Sequence, residues 1–370
     1  MLKRSLELDL KKNHLLLGPR RVGKSTLIRG LEIHYELIDL LKTDVFFDYR
    51  SRPALLREQF GNTGKLIVID EVQKVPELLS EVHWLIENTG NTFLLTGSSA
   101  RKLRRSGATN LAGRLKTVHL HPLTFAEIPG FDLLERLQFG GLPPMVLGSD
   151  PWDELKDYCG EYLKEEVLAE GLVRNIPAFS RFLELAALSN GEQLSYATIA
   201  RDTGVSAKTV AEYFQILVDT LLGHLLEPFT RTVKRRSVMT PKFYYFDTGV
   251  ANILLRRRLS EKTAEFGKAF EHFLVLETLA AQSYGKGIDR VNYWRSSSGL
   301  EVDLLINEDT AVEFKSGSIH LSDTKGLQAL AEDLPLRHRW IVGREARPRR
   351  LENGVEILPW QEYLQRLQSL

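Results

Sequence analysis

Residues Gly18, Pro19, Arg20, Arg21, Val22, Gly23, Lys24, Ser25 and Thr26 read GPRRVGKST, between an apolar run at Leu15, Leu16 and Leu17 and a helical pattern. That setting makes a phosphate cradle: glycines let backbone N–H groups turn inward, Lys24 is placed for the β- and γ-phosphates, and Ser25 offers a hydroxyl to Mg²⁺. Such a site also needs a carboxylate at the end of a neighbouring strand. LIVIDE supplies it, with Leu66 to Ile69 as a doubly buried strand and Asp70 and Glu71 at its end. Asp70 suits Mg²⁺ held through water, and Glu71 suits orienting or deprotonating an attacking water. Against this stand the bland readings of a glycine-rich turn and a surface acidic pair. A third strand, Thr92 to Thr96, leads to Gly97, Ser98 and Ser99. Ser98 is placed to sense the γ-phosphate or hold the water. Arg101 to Lys116 then carries six Lys or Arg and no acid. Arg114 in this run is an arginine-finger candidate, in its own subunit or a neighbour's, unless the run is a solvated basic face.

A second constellation lies in the last third. GKAFEHFLVLETLAA puts Phe266, Phe270, Phe273 and Leu274 on one helical face with Glu271 beside them. In LEVDLLI, alternation sets Asp303 opposite Val302 and Leu304, and Glu313 and Lys315, two apart in AVEFKS, point the same way. Converging carboxylates make a hard-oxygen Mg²⁺ site, and a nearby lysine lowers the pKa of bound water or steadies a phosphate, which is phosphodiester hydrolysis chemistry. Asp303 and Glu313 are the expected metal ligands with Glu271 as a further one. A solvated hairpin face is the competing reading.

Between the two, LSYATIARDTGVSAKTVAEYFQIL has helix-turn-helix spacing, with Ala200 at the crossing, Gly204 at the turn, Ser206 as cap and Val210 packing back. Lys208, Thr209 and Glu212 lie on the exposed face of the second helix. A strand pair with a basic tip at Arg231 to Arg236 follows as a wing, read either as a DNA contact or as a packing module.

These elements need several cores, which 370 residues at 43% hydrophobic and 26% charged allow; the formal net charge of +1 points to no partner. Local basic runs do: Pro228 to Phe246 holds five Lys or Arg and no acid, and Arg337 to Arg350 six Arg against one Glu. Cys159 is alone, so a packing role is expected and a disulfide framework is not. No run approaches a membrane span and the N-terminus lacks a signal-peptide pattern, so the cytoplasm is the expected location. The expected divisions are an α/β P-loop domain over 1–130 with a parallel sheet covered on both faces, a helical linker and winged helix over 131–255, and a C-terminal α/β domain over 256–370.

In their order, GPRRVGKST, LIVIDEVQKVPELL, LLTGSS, LAGRLKTVHLHPLTFAE, the GGLPP elbow, TPKFYYFDTGVAN, GKAFEHFLVLE and EVDLLI…VEFKSG resemble bacterial and archaeal ATPases of the AAA+ class. The resemblance is to members with an AAA_14-type N-terminal domain and a C-terminal DUF4143, and it covers nearly the whole chain. It implies an ATP site at Lys24, Ser25, Asp70 and Glu71, and a C-terminal domain of PD-(D/E)XK nuclease-like fold. The cofactors implied are ATP and Mg²⁺, with a second Mg²⁺ or Mn²⁺ if the C-terminal site cuts. Two functions stay open. One is an ATP-dependent DNA-processing enzyme, holding DNA by backbone or structure rather than by sequence. The other is a nucleotide-controlled switch whose modules bind protein. Self-association is left open and no membrane partner is expected.

Overall fold

The computed structural model describes residues 2–61, 63–99, 103, 113–162, 175–232 and 234–369. The chain divides into two compact units, Met1–Leu123 with Asp219–Leu222, and Thr124–Val218 with Gly223–Leu370.

In the first unit, the apolar runs become strands of one sheet: β1 (His14–Leu17), β2 (Glu36–Asp39), β3 (Leu66–Asp70), β4 (Thr92–Gly97) and β5 (Lys116–His119). The order is β2-β3-β4-β1-β5, and every pairing is parallel. Strands β1 and β3 are buried along their whole length, as continuous apolar runs require when both sheet faces are covered. One face packs Leu15, Leu17, Ile67, Ile69 and Leu95 against Leu78, Val82 and Leu85 of the helix Leu78–Asn88. Parallel strands end on a common edge, so Leu17, Asp70 and Gly97 all open there.

The second unit begins with short helices and the pair Tyr196–Thr203 and Ala207–Asp219. Gly204 makes the turn between them with φ 72°, and Ser206 Oγ accepts from Thr209 N at 3.1 Å, capping the second helix. A two-stranded antiparallel hairpin follows, β6 (Gly223–Leu226) and β7 (Lys242–Tyr245). The GGLPP elbow is tied to this region by Asp247, whose carboxylate accepts from Gly141 N at 2.8 Å, Gly249 N at 2.9 Å and Val250 N at 3.2 Å. Gly140, at φ 75°, is required beside it: a Cβ there would stand 1.9 Å from Asp247 Oδ1.

The helix Ala264–Ser283 then leads into β8 (Val291–Arg295), β9 (Glu301–Ile306) and β10 (Thr310–Lys315), which pair antiparallel in sequence order. After the helix Lys325–Ala331, β11 (His338–Gly343) joins parallel to β10, and β12 (Arg349–Arg350) and β13 (Glu356–Pro359) complete a six-stranded sheet ordered β12-β13-β11-β10-β9-β8. Phe266, Phe270, Leu274, Leu304, Val312 and Phe314 belong to one core, and Val302, Leu305, Ala311, Leu327 and Ile341 to another. The register of β8 and β9 shifts between Asn292 and Trp294. This irregularity corrects the simple alternation expected in β9, because Val302 and Leu304 enter different cores. Among the described residues, no helix is long and apolar enough to cross a membrane.

Candidate functional site

The loop after β1 is wound tightly by its own chemistry. Arg21 and Gly23 take left-handed conformations with φ 63° and 101°. Gly18 has no room for a side chain, since a Cβ would lie 2.7 Å from the Leu120 carbonyl. The Lys24 side chain is 6% exposed and donates to the carbonyls of Gly18 at 2.8 Å and Pro19 at 3.1 Å, with the Glu71 carboxylate 3.9 Å away. Pro19 and Val22 are buried, Arg20, Arg21 and Ser25 half-buried, and Thr26 exposed.

Because β4 lies between β1 and β3, its end joins the loop strand to the acidic strand. Ser25 Oγ donates to Asp70 Oδ2 at 2.9 Å. Thr96 Oγ1 donates to the other Asp70 oxygen and accepts from Glu71 N at 3.0 Å. Gln73 Nε2 donates to the Glu71 carboxylate and, at 3.1 Å, to Ser98 Oγ, while Ser98 Oγ lies 3.3 Å from Glu71 Oε2. Glu71 itself is held at φ 59°. The arrangement therefore brings together Lys24, Ser25, Asp70, Glu71 and Ser98, and adds Thr96 and Gln73, which the sequence reading missed. The only signal was their place in LLTGSS and DEVQK. The donor set fits a Mg²⁺–nucleotide: a hydroxyl and a carboxylate at 2.9 Å offer hard oxygens, and an ammonium that donates to two loop carbonyls can exchange them for phosphate oxygens.

Arg114 stands elsewhere. It precedes β5, whose Lys116 pairs with His14 at the start of β1, and its Nε is ion-paired with Glu87 near the end of the helix Leu78–Asn88. That is the opposite edge of the sheet from the loop. The rest of the basic run, Arg101, Lys102 and 104–112, lies outside the described residues.

At the second constellation, Asp303 is 7% exposed, and its Oδ2 accepts from Phe314 N at 2.8 Å across the β9–β10 pair. Lys315 Nζ donates to Glu313 Oε1 at 2.7 Å, while Glu313 Oε2 is buried with no hydrogen-bond partner among the described residues. Burial, then Glu313 and Glu271, push the Asp303 carboxyl well above the usual range. Burial also raises Glu313, to about 7, although Lys315 pulls it down. The Glu271 carboxylate accepts from Tyr244 OH at 2.7 Å, faces Lys242 Nζ at 3.5 Å and raises both Asp303 and Glu313. Among the described residues no three His, Cys, Asp or Glu side chains are grouped to hold a metal. Lys242, on β7, is another residue that sequence reasoning missed; it is 4% exposed and lies 2.6 Å from Glu301.

In the basic tip of the hairpin, Arg231, Lys234 and Arg236 are exposed and two of the arginines are ion-paired. Arg231 is ion-paired with Glu308, and Arg235 with Glu332 at 2.8 Å and Asp333 at 3.5 Å, because the tip folds against acids of the same unit. Lys208 and Glu212 are exposed on their helix, and Arg349 and Arg350 on β12.

Residues 11–129 match the AAA domain family AAA_14, residues 130–261 a domain of unknown function, DUF8612, and residues 266–363 another, DUF4143. The chain carries an N-terminal AAA-type ATPase domain on an α/β P-loop fold and a C-terminal DUF4143 domain. It is 29% identical over 306 residues to an uncharacterized protein of Mycobacterium tuberculosis, covering 79% of this chain and 67% of that one. Over 77 residues it is 46% identical to the replication factor C large subunit of Pyrobaculum aerophilum, 19% of this chain and 18% of that one. The match to the Aeropyrum pernix ORC1 protein, solved in complex with DNA, covers 66% of this chain and 86% of that one at 13% identity with a TM-score of 0.27.

Proposed function

We propose that the protein is a Mg²⁺-dependent ATPase whose nucleotide cycle controls a DNA-engaging second unit. The observation that carries the hydrolytic part is the network from Ser25 through Asp70 and Thr96 to Glu71 at the common edge of the parallel strands. Bound Mg²⁺ would neutralise charge on the phosphates, with Ser25 and Asp70 as the residues that hold it. Lys24 trades its loop carbonyls for phosphate oxygens. Glu71 orients or deprotonates the attacking water, and Gln73 and Ser98 fix its carboxylate. Arg114 is assigned to a neighbouring subunit's site, since its own edge of the sheet faces away from the loop.

For the second unit, the order helix, three antiparallel strands, helix, parallel strand supports a nuclease-like reading, with Asp303, Glu313 and Lys315 at adjacent positions on β9 and β10. The buried, unpartnered Glu313 Oε2 fits a cation at that place. The two helices joined at Gly204 with the β6–β7 hairpin support a winged helix. The likeness over 77 residues to a protein named as a replication factor supports a link to DNA for the chain, without bearing on these elements. The ion-paired hairpin tip favours a second reading, in which the hairpin packs domains and the protein is a switch that cuts nothing.

Phosphate release and cleavage of linear, single-stranded and branched DNA, each with Mg²⁺ or Mn²⁺, separate the readings. Lys24→Ala abolishes ATP turnover in a folded chain; unchanged turnover sinks the ATP-site assignment. Cleavage lost in Asp303→Ala and Lys315→Ala supports the enzyme, whereas equal cleavage by wild type and both variants points to a contaminant.

A further inference from the structure

The acidic face of the second unit contains a cation that does not come from its own sheet. Lys242 belongs to β7 of the hairpin, which is bridged at this residue to Gln193. Its ammonium reaches Glu301 Oε1 at 2.6 Å and Glu271 Oε1 at 3.5 Å, and lies 5.4 Å from the centre of the Tyr293 ring. A buried ammonium is costly unless carboxylates surround it. Burial alone pulls its pKa down, but Tyr244, Glu271, Asp303 and Glu301 outweigh that and hold it well above the ordinary lysine value, so the charge stays on. On the other side of the face, Lys315 is committed to Glu313. Arg295 also pairs with Glu301, at 2.7 Å.

We infer that Lys242 is the resident counter-ion of the acidic face: delivered by the hairpin, it neutralises Glu271 and Glu301 and competes with a divalent cation for the field of the neighbouring Asp303. The inference rests on the reading of that face as a cation site, not on DNA cleavage. It makes the hairpin a control element, because any displacement of β7 withdraws a positive charge from the face. Lys242 is a positioning and charge-balancing residue, since its contacts are to carboxylates and rings of the protein itself.

The test is Mn²⁺ binding to the nucleotide-free full-length chain, followed by calorimetry and water-proton relaxation. Lys242→Met is expected to bind Mn²⁺ at least about tenfold more tightly than wild type, in the range by which groups behind metal ligands tune affinity. Lys242→Gln should do the same, and Lys242→Arg, which keeps the charge, should stay at the wild-type level. Glu271→Gln added to Lys242→Met should reverse the gain. In the wild-type background Glu301→Gln releases the ammonium toward Glu271 and Asp303 and should weaken Mn²⁺ binding. Neutral variants that bind no more tightly than wild type, or tighter binding by Glu301→Gln, overturn the inference. A chain that gains Mn²⁺ in Lys242→Met yet cleaves no DNA removes the nuclease reading alone.

Discussion

Thr96→Val keeps the side-chain volume and removes one hydroxyl. That hydroxyl is fully buried, donates to an Asp70 oxygen and accepts from Glu71 N at 3.0 Å, so no water can take its place. A hydrogen bond to a charged partner contributes ~1.5–3 kcal/mol. If the Asp70–Glu71 geometry matters in the transition state, the loss appears in kcat. At about 1.4 kcal/mol per tenfold, that is a fall of roughly ten- to a hundredfold. KM for ATP should move less than about threefold, because the hydroxyl bonds to the carboxylate strand and not to the phosphate loop. Steady-state phosphate release over a range of ATP concentrations, with far-ultraviolet circular dichroism as the folding control, measures both. A kcat within about twofold of wild type would falsify the argument that β4 sets the two carboxylates. A raised KM at unchanged kcat would move Thr96 from chemistry to nucleotide binding.

Two further expectations concern the elbow that joins the parts of the second unit. Gly140→Ala puts a Cβ 1.9 Å from an Asp247 oxygen at a left-handed position, and Asp247 is pinned by three backbone N–H groups, so it cannot step aside. A loss of at least about 3 kcal/mol is expected. Four of the five tryptophans, Trp152, Trp294, Trp340 and Trp360, lie in this unit, so urea unfolding followed by tryptophan fluorescence reports it, and an unchanged midpoint refutes the clash. Asp247 also sets a pH dependence. Burial raises its carboxyl from 3.8 to about 6, against the pull of its N–H donors and Arg136. Because the folded value is the higher one, this stabilisation is full below the unfolded value of 3.8 and is lost as pH rises through about 6. The difference in unfolding free energy between wild type and Asp247→Asn should fall by up to about 3 kcal/mol over that window. A flat difference contradicts the burial argument.

Both sites were legible to different depths. The phosphate loop and the LIVIDE strand were readable because each is a local pattern: the loop and its lysine directly follow one strand end, and Asp70 and Glu71 sit at the end of another apolar run. Thr96 and Gln73 were not readable, since their importance follows from β4 being inserted between β1 and β3. The position of Arg114 likewise depends on which edge of the sheet β5 starts from. In the acidic hairpin, Glu313 and Lys315 were fixed by their spacing, whereas the β8–β9 register shift disturbed the alternation assumed around Asp303.

Sequence by itself determined the order of the elements, the presence of a phosphate cradle and the residue types at both strand-end constellations, because periodicity and turn chemistry act over short separations. Only the tertiary structure decided how charges are balanced. Arg231 and Arg235 of the hairpin pair with Glu308, Glu332 and Asp333, and Lys242 reaches carboxylates more than twenty residues away. A buried charge must be paired where the fold leaves it, and the partner is whichever side chain the packing brings within reach.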